Sequence, residues 1–539
     1  MKIVVLGGYG VFGSRLARLL IRDGHDVTIA GRNVRKAQAL ANVLGCTAMT
    51  VDHRADPVAV FDTSPDVVVD AAGPFQAYHH DPYIIPRLCL EYDADYLDLS
   101  DDAAFTVGLG ALDNDARKRN RRLLSGVSTV PGISSAVAAD LCIGLDEILL
   151  IDTAILPGNR APRGKSVMAS IIGQLGQTAR VWRGGIWRDQ RCWSDTRRIR
   201  LSSDLVRSAR FIEVPDILIF PDFFRAKSVM FRAGMELRLL NAAMYGVAAL
   251  RRYWPFEVTS RCATFFWGLA NLFLPFGTDR GGMRVVVVGR KGATMIRREW
   301  RLIAVAGEGP YIPAVCARAV IRRVAQVPPG ARPCLAEVSR TDVENAMTDL
   351  AVSTHMDEHP SPALFQSVLR DRWAQLPPEI HKLHNVHDVE SFSGSAEVVR
   401  GASIMARMIA WFFKFPPAST KCPVTVTKTR TDTGEIWQRN FNGKIFRSFC
   451  IASPLAYRFR ERFWPFQYEM DVVVQDCSIQ LPVRRGWFLG IPLPRFLLPR
   501  SDSREYVADG VFHFDVGLSA PLGGGLIVRY RGSLHPDDK

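Results

Sequence analysis

Three glycines near the start of the chain have the spacing of a turn that approaches phosphate. Residues Lys2–Leu6 read KIVVL, and Gly8, Gly10 and Gly13 then complete the pattern G-x-G-x-x-G. In such a pattern the first glycine permits a tight turn, the second lets the backbone approach a pyrophosphate, and the third allows close helix–strand packing. The helix predicted over residues 14–22 would present free N–H groups to that phosphate. The pattern predicts a dinucleotide site with contacts from Gly8, Gly10, Val11, Phe12 and Gly13.

The end of the second predicted strand indicates which dinucleotide is bound. Residues 26–30 read DVTIA, and Gly31-Arg32-Asn33 follows where NAD enzymes usually place a carboxylate that binds the ribose 2′-hydroxyl. An arginine would instead pair with a 2′-phosphate through charge-assisted hydrogen bonds. We therefore expect NADP(H) rather than NAD(H), held by Arg32, Asn33 and Lys36.

Later strand ends supply further candidates, because ligands in such sheets bind at the carboxyl ends of the strands. Asp52 follows a third predicted strand and is expected near the adenine. The sequence DAAGPF follows a fourth strand, and its Ala72, Gly73 and Pro74 are expected on the nicotinamide side. A proton donor or acceptor is also needed for hydride chemistry, and the sequence offers only weak candidates. These candidate catalytic residues are Tyr96 and Asp98.

These motifs, in this order, resemble the saccharopine-dehydrogenase-like oxidoreductases over about residues 1–330. The resemblance is carried by GGYGVFG, AGRN, DAAGPF, YLDLSD and STVPGISS. It implies a Rossmann NADP-binding domain formed by residues 1–135 and 308–330, interrupted by an α+β substrate-side or dimerisation domain at 136–307. The chain would return to the first domain through GEGPYIP. Family membership supports cofactor binding better than any one reaction.

The last part of the chain resembles an uncharacterised domain often found behind this oxidoreductase module. The matching segments include LPPEIHKLH and DGVFHFDVGLSAPLGGGLIVRYRG. Alternating apolar and polar residues, separated by Asn-Gly and Asp-Gly turns, predict antiparallel hairpins there. The predicted fold class is therefore α/β, with a doubly wound Rossmann sheet, an α+β domain and a mainly antiparallel β domain at 361–539, reached through a linker at 331–360.

Two apolar helices are predicted at about residues 233–250 and 262–274. Buried core or a homodimer face is one interpretation. The other is contact with a membrane surface, in which aromatic and basic residues anchor the helices at the lipid interface. The anchors would be Trp254, Trp267, Phe273, Arg251, Arg252 and Arg280.

Composition excludes several other classes of protein. The net charge of +14 comes from 68 basic and 54 acidic residues spread along the chain, which does not favour nucleic-acid binding. No C-x-x-C pair is present, and the H-x-x-H-x-x-H of His381, His384 and His387 lacks a complete ligand set, so no metal is expected. The prediction is a cytoplasmic, or membrane-associated, NADP(H)-dependent oxidoreductase acting on a small molecule, and the apolar helices suggest that this molecule is hydrophobic. The alternative is a non-catalytic NADP(H) sensor or scaffold whose C-terminal domain binds a ligand or partner.

Overall fold

The computed structural model describes the chain except for residues 54, 79, 80, 163, 255–259, 538 and 539. The side chains of residues 77, 165–167, 252 and 260–265 are also outside the description. The chain divides into two compact units. The first comprises residues 1–182, 187–292 and 297–359, and the second comprises 183–186, 293–296 and 360–539.

The first unit alternates strands and helices before it becomes more irregular. Its strands are β1 (Lys2–Leu6), β2 (Asp26–Gly31), β3 (Thr47–Thr50), β4 (Val67–Asp70), β5 (Asp95–Asp98), β6 (Arg122–Ser125), β7 (Glu147–Leu156), β8 (Thr178–Arg183), β9 (Ile186–Arg191), β10 (Arg197–Arg200), β11 (Val206–Phe211), β12 (Val229–Gly234), β13 (Gly281–Lys291), β14 (Thr294–Ala304), β15 (Gly330–Pro333) and β16 (Val352–Pro360). Its helices are α1 (Gly13–Arg22), α2 (Val34–Leu44), α3 (Ile84–Glu91), α4 (Ala103–Gly108), α5 (Asp113–Lys118), α6 (Ser134–Cys142), α7 (Lys165–Gln174), α8 (Pro215–Phe224), α9 (Arg238–Tyr253), α10 (Ser260–Leu272), α11 (Ile312–Arg322) and α12 (Arg340–Asn345).

The first sheet has the strand order β15-β6-β5-β4-β1-β2-β3, and its pairs are parallel. The central strand β1 is apolar throughout and its last four residues are buried, as expected for a strand covered on both faces. Helix α1 buries Leu16, Leu19 and Leu20 against the sheet, and these spacings form one helical face. The order 3-2-1-4-5-6 is that of a doubly wound dinucleotide-binding sheet, so the predicted Rossmann architecture is confirmed.

The second sheet is mixed, in the order β10-β11-β12-β7-β13-β14-β16. Strands β7 and β12 are parallel, whereas β7 and β13 are antiparallel. This arrangement confirms the predicted α+β architecture. The apolar helix expected at 233–250 begins later, at Arg238, because Ala233 and Gly234 still belong to β12. The second apolar helix, α10, begins at Ser260, and residues 255–259 between the two lie outside the described residues.

Residues 331–360, which the sequence predicts as a linker, are folded into the first unit. β15 extends the Rossmann sheet by pairing Ala331 with Leu123 of β6. The helix α12 then begins with a capping box between Ser339 and Asp342, and β16 joins the second sheet. The turn-rich sequence PPGARP suggested a linker, but Pro333 is tolerated because β15 lies at the edge of its sheet.

The second unit is built on one antiparallel sheet, as predicted. Its order is β23-β24-β27-β28-β29-β17-β18-β19-β20-β21-β22-β25-β26. The elements are α13 (Leu364–Leu369), α14 (Pro378–His384), β17 (Val389–Arg400), α15 (Ile404–Phe412), β18 (Ser419–Arg430), β19 (Glu435–Phe441), β20 (Lys444–Ala452), β21 (Arg458–Phe463), β22 (Phe466–Asp471), β23 (Val473–Gln475), β24 (Ser478–Gln480), β25 (Val483–Phe488), β26 (Ile491–Pro492), β27 (Arg500–Ala508), β28 (Val511–Ser519) and β29 (Leu526–Pro536).

Candidate functional site

The glycine turn after β1 is held by backbone-to-backbone contacts that leave no room for side chains. Gly7 has φ of +66°, and a Cβ there would lie 2.6 Å from Cα of Ala72. A Cβ on Gly13 would lie 2.4 Å from the carbonyl oxygen of Gly7. The turn is therefore packed directly between α1 and the end of β4, and this packing fixes the start of α1.

The same turn has the features that a pyrophosphate requires. Gly10 is less crowded than Gly7 and Gly13, because within 4 Å an added Cβ would meet one atom of the described residues, the Gly7 carbonyl oxygen, although that contact is tight at 3.0 Å. The backbone N–H groups of Val11, Phe12 and Gly13 have no hydrogen-bond acceptor among the described residues. Helix α1 also has no capping side chain and no acidic residue in its first turn. The turn therefore fits an anion at the helix N-terminus.

Arg32 lies at the carboxyl end of β2 with its side chain exposed, and Arg35 and Lys36 are exposed beside it. The side chain of Asn33 caps α2 by accepting the N–H of Lys36 at 3.0 Å. The described part of the chain places no carboxylate in an ion pair with these three cations. A cluster of unpaired cations next to the glycine turn suits a 2′-phosphate.

Tyr9 is a residue of this site that the motif does not reveal. Its hydroxyl accepts the backbone N–H of Asn33 at 3.1 Å. Its ring occupies the space beside Gly31, where an added Cβ would lie 2.4 Å from Cε1 of Tyr9. The aromatic side chain thereby ties the glycine turn to the end of β2.

Of the remaining cofactor candidates, Asp52 lies half-buried just beyond β3. Ala72 donates its backbone N–H to Oδ1 of the buried Asp70 at 2.9 Å, which orders the end of β4. Gly73 and Pro74, joined by a cis peptide bond, line a cavity in the first unit together with Phe12 of the glycine turn. The structure thus brings the two predicted loops to one place.

The two predicted catalytic residues do not line this cavity. Tyr96 is fully buried in the core between the sheet and α3, and its hydroxyl has no hydrogen-bond partner among the described residues. Asp98 is also fully buried and accepts hydrogen bonds from the backbone N–H groups of Ser100 and Gly126 and from the hydroxyl of Ser125, each at 2.9 Å. Asp98 therefore fastens the loops after β5 and β6. A polar residue at a strand end can point into the fold as well as out of it, and both of these side chains point into the fold.

The cavity itself has a volume of about 360 Å³ and a mainly apolar lining. Apolar side chains from the second sheet and α7 form one wall, and the loops of the Rossmann sheet form the other. Aliphatic, sulfur-containing and aromatic lining residues include Ile155, Met168, Ile171, Trp193, Phe231, Met235, Met244 and Leu302. A cavity of this lining favours an apolar substrate.

Two acidic residues in the cavity wall have perturbed acidity. Burial raises the pKa of Asp101, which follows β5, and a hydrogen bond from Gln76 partly offsets the shift. Burial also raises the pKa of Glu213, and the nearby Asp102 raises it further. The peptide N–H of Glu213 donates to the side chain of Gln174 at 3.0 Å. Asp101 is the last residue of the motif YLDLSD. No motif marks Glu213, which comes from the α+β domain.

The strand order, the glycine turn and its open N–H groups define a Rossmann-type dinucleotide-binding domain. Residues 3–123 match the family profile "Saccharopine dehydrogenase NADP binding domain", and residues 376–534 match "Domain of unknown function (DUF4166)". The resemblance seen in the sequence is confirmed for both segments. No curated protein matches the chain.

Solved structures with a similar course of the chain include three dehydrogenases. Saccharopine dehydrogenase (L-Glu forming) from Saccharomyces cerevisiae is 14% identical, covers 66% of this chain and 99% of its own, and gives a TM-score of 0.48. A probable dehydrogenase from Thermotoga maritima is 13% identical, with coverages of 64% and 93% and a TM-score of 0.31. UDP-N-acetylglucosamine 3-dehydrogenase GnnA from Acidithiobacillus ferrooxidans is 13% identical, with coverages of 65% and 96% and a TM-score of 0.30. At these values the likeness supports no statement about activity.

Among the described residues, no helix combines the length and apolarity needed to span a membrane.

Proposed function

We propose that the protein is an NADP(H)-dependent oxidoreductase acting on a mainly apolar substrate. The observation that carries the proposal is the meeting of Phe12, Gly73 and Pro74, from two cofactor loops, in the wall of one apolar cavity. When bound, the nicotinamide cofactor would supply or accept a hydride. The chain's own contribution is to hold the pyrophosphate at the glycine turn, shape the cavity and move a proton.

Asp101 and Glu213 are the groups proposed to handle that proton. Both line the cavity, and burial raises the pKa of each, so each carboxyl can hold a proton closer to neutral pH than an exposed carboxyl can. The two substitutions that test these roles are Glu213→Gln and Asp101→Asn. Asp279 also lines the cavity and provides a control carboxylate.

NADP(H) is proposed over NAD(H) because Arg32, Arg35 and Lys36 present exposed charge beside the glycine turn. Calorimetric titration with NADPH and NADH tests this preference. Arg32→Asp should weaken NADPH roughly tenfold to hundredfold, the loss expected for charge-assisted hydrogen bonds, and should spare NADH. Lys118→Asp, an exposed cation on α5, should change neither. Equal affinities for the two cofactors in the unchanged protein would refute the preference.

The reaction can be tested by following NADPH oxidation with apolar aldehydes, ketones and imines. Glu213→Gln should lower kcat roughly hundredfold, the usual contribution of acid–base catalysis, while NADPH affinity stays unchanged. Asp279→Asn should keep most of the activity. Tight NADPH binding without turnover of any such substrate would favour the alternative, a non-catalytic NADP(H) sensor.

A membrane-surface contact through α9 and α10 is a second proposal, supported by exposed Leu239, Leu250, Tyr253 and Trp254. Trp267 and Phe273 are half-buried. The predicted anchor Arg251 is instead buried and donates to the carbonyl oxygens of Gly173 and Leu175, and Arg280 pairs with Asp204. The side chain of Arg252 lies outside the described residues. Leu250→Asp should weaken vesicle binding, whereas a shift from dimer to monomer in light scattering would identify a homodimer face.

A further inference from the structure

The antiparallel sheet of the second unit curls around a cavity of about 280 Å³. Alternate residues of six strands face it, as Val424, Val426 and Lys428 of β18 do, and as Phe512, Phe514, Val516 and Leu518 of β28 do. Side chains fill the interior of small barrels, whereas larger curled sheets can enclose a ligand. This cavity is at the small end of the range of ligand sites.

The charged groups in the cavity wall are paired with one another or with neighbouring polar groups. Lys428 donates to the Leu383 carbonyl oxygen at 3.1 Å, contacts Nδ1 of His384 at 3.2 Å, and lies over the Trp437 ring. Nε2 of His384 is 2.7 Å from Glu505, and Arg439 pairs with Glu461 at 3.0 Å. Because these charges neutralise each other, the cavity suits an uncharged, apolar molecule or chain rather than a free anion.

One end of the same sheet carries an exposed apolar surface, which we call the rim. On α15, Ile404, Met408 and Trp411 are exposed, with Trp411 81% exposed. Trp464, in the turn between β21 and β22, is 79% exposed. The rim is completed by exposed residues at the end of α15, in β26 and in neighbouring loops, namely Phe412, Ile491, Leu489, Phe496 and Leu522.

Several contacts show that the rim is one surface. The N–H of Leu489 bonds the carbonyl oxygen of Pro465, which joins two hairpin turns. The rings of Phe412 and Phe466 lie 6.3 Å apart, and Ser403 at the start of α15 bonds the Gly524 carbonyl oxygen. On the opposite face of α15, Ile409 lines the cavity, so this helix separates the cavity from the rim.

The rim is flanked by basic residues that lack acidic partners. Arg407, Lys414, Arg495 and Arg500 are exposed, and none forms an ion pair within the described ranges of the chain. Residues 398–431 and 487–501 contain no Asp or Glu. Exposed tryptophans and aliphatic side chains, surrounded by unpaired cations, have the chemistry of a surface that binds anionic lipid headgroups and buries its apolar side chains below them.

We propose that the rim docks on an anionic lipid surface and that the cavity behind α15 takes an apolar lipid chain. Docking would bring the apolar end of the cavity to the bilayer, since Ile409 of α15 and Phe413, which directly follows α15, line the cavity beneath the rim. This proposal does not depend on NADP(H) binding or on α9 and α10.

The docking is tested by sedimenting the full-length protein with vesicles. We expect binding to vesicles of equal parts phosphatidylcholine and phosphatidylglycerol, and much weaker binding to phosphatidylcholine alone. Met408→Asp combined with Trp464→Asp should reduce binding at least roughly tenfold, since each aromatic or aliphatic side chain would lose its burial. Equal binding of this variant and the unchanged protein would overturn the proposal.

A matched control is available at the other end of the strands. Ile436, the second residue of β19, pairs with Thr429 and Phe449 at the end of these strands that is far from the rim. Leu455 lies in the turn between β20 and β21, at the same end. Both are exposed. Ile436→Asp combined with Leu455→Asp should bind vesicles as the unchanged protein does, and loss of binding in this control would overturn the assignment to the rim. The variant Leu250→Asp measures any separate contribution of α9 to vesicle binding.

The cavity is tested with N-phenyl-1-naphthylamine, an uncharged apolar dye. Saturable dye binding should be displaced by a long-chain alcohol, and Val516→Trp, which fills the cavity, should lower the dye affinity at least roughly tenfold. His513→Trp alters the outer face of the same strand and should leave dye binding unchanged. Val516→Trp should still bind vesicles, and undiminished dye binding by this variant would overturn the cavity assignment. The far-ultraviolet circular dichroism of each variant verifies that it is folded.

Discussion

We predict that the stability of the protein depends on pH through Asp98, because its carboxyl is fully buried at the junction of β5 and β6. Burial raises the pKa of Asp98 to about 7, while the hydrogen bonds from Gly126, Ser100 and Ser125 pull it down. The ordinary pKa of this group is 3.8. Between these two values the folded protein holds a proton that the unfolded chain has released. Stability must therefore fall as the pH rises through this window, and level off above about 7.

The size of the effect follows from the shift. About three pKa units correspond to about 4 kcal/mol of unfolding free energy, lost between about pH 4 and about pH 7. Asp98→Asn removes the titration but keeps Oδ1, which accepts all three hydrogen bonds, and places an amide where Oδ2 has no partner among the described residues. The variant should match the unchanged protein below about pH 4, already exceed it in stability at about pH 5, and exceed it most at about pH 8.

Urea unfolding, followed by tryptophan fluorescence at several pH values, measures this difference. Asp113→Asn is a control of opposite sign, since the hydrogen bond from Arg117 lowers the pKa of Asp113. That variant should be less stable than the unchanged protein by the same amount at about pH 5 and about pH 8, because an Asp with a lowered pKa contributes its full stability at every pH above its unfolded pKa. If Asp98→Asn and the unchanged protein kept a constant difference from about pH 5 to about pH 8, the buried, proton-holding Asp98 would be refuted.

Further predictions concern the packing of the cofactor domain. Arg318 of α11 is 3% exposed in its side chain and pairs with Asp23 and Asp349, so Arg318→Met should cost about 3 kcal/mol in urea unfolding by removing the buried partner of both carboxylates. Arg322→Met removes a more exposed partner of Asp23 and should cost less than about 1 kcal/mol; equal losses would contradict this difference. Gly13→Ala should lower the melting temperature because its Cβ meets the Gly7 carbonyl oxygen at 2.4 Å. Gly10→Ala, whose added Cβ would lie 3.0 Å from the same oxygen, should lower the melting temperature less than Gly13→Ala but bind NADPH roughly tenfold more weakly in calorimetry, and unaltered affinity would argue against pyrophosphate at this turn.

The parts of the fold that could be predicted are those in which local sequence and final environment agree. KIVVL is apolar throughout because β1 is covered on both faces, and the glycine spacing follows from the contacts of Gly7 and Gly13 with the neighbouring backbone. The alternation in β18 and β28 likewise reflects strands with one face toward an interior. In each case the residues that form the pattern also form the structure.

The parts that could not be predicted depend on partners distant in the chain. PPGARP has the composition of a linker, and only the free edge of β6 makes residues 330–333 a strand. Asp98 and Asp101 both belong to the motif YLDLSD, yet one holds loops together in the core and the other lines the cavity. Glu213 reaches the cavity from the second sheet, more than a hundred residues after that motif. The periodicity of apolar residues carries no information about contacts between residues that are distant in the chain.

The proposed preference for NADP(H) depends on more than the charge of Arg32. Gly31 cannot bear a side chain because the Tyr9 ring fills that space, and the Tyr9 hydroxyl holds the N–H of Asn33. Asn33 in turn caps α2, which sets where Lys36 emerges. The aromatic residue inside the glycine turn therefore positions the backbone from which the three cations project. For this reason a change at Tyr9 would disturb both the glycine turn and the cation cluster proposed to bind the 2′-phosphate, whereas Arg32→Asp would act on the cation cluster alone.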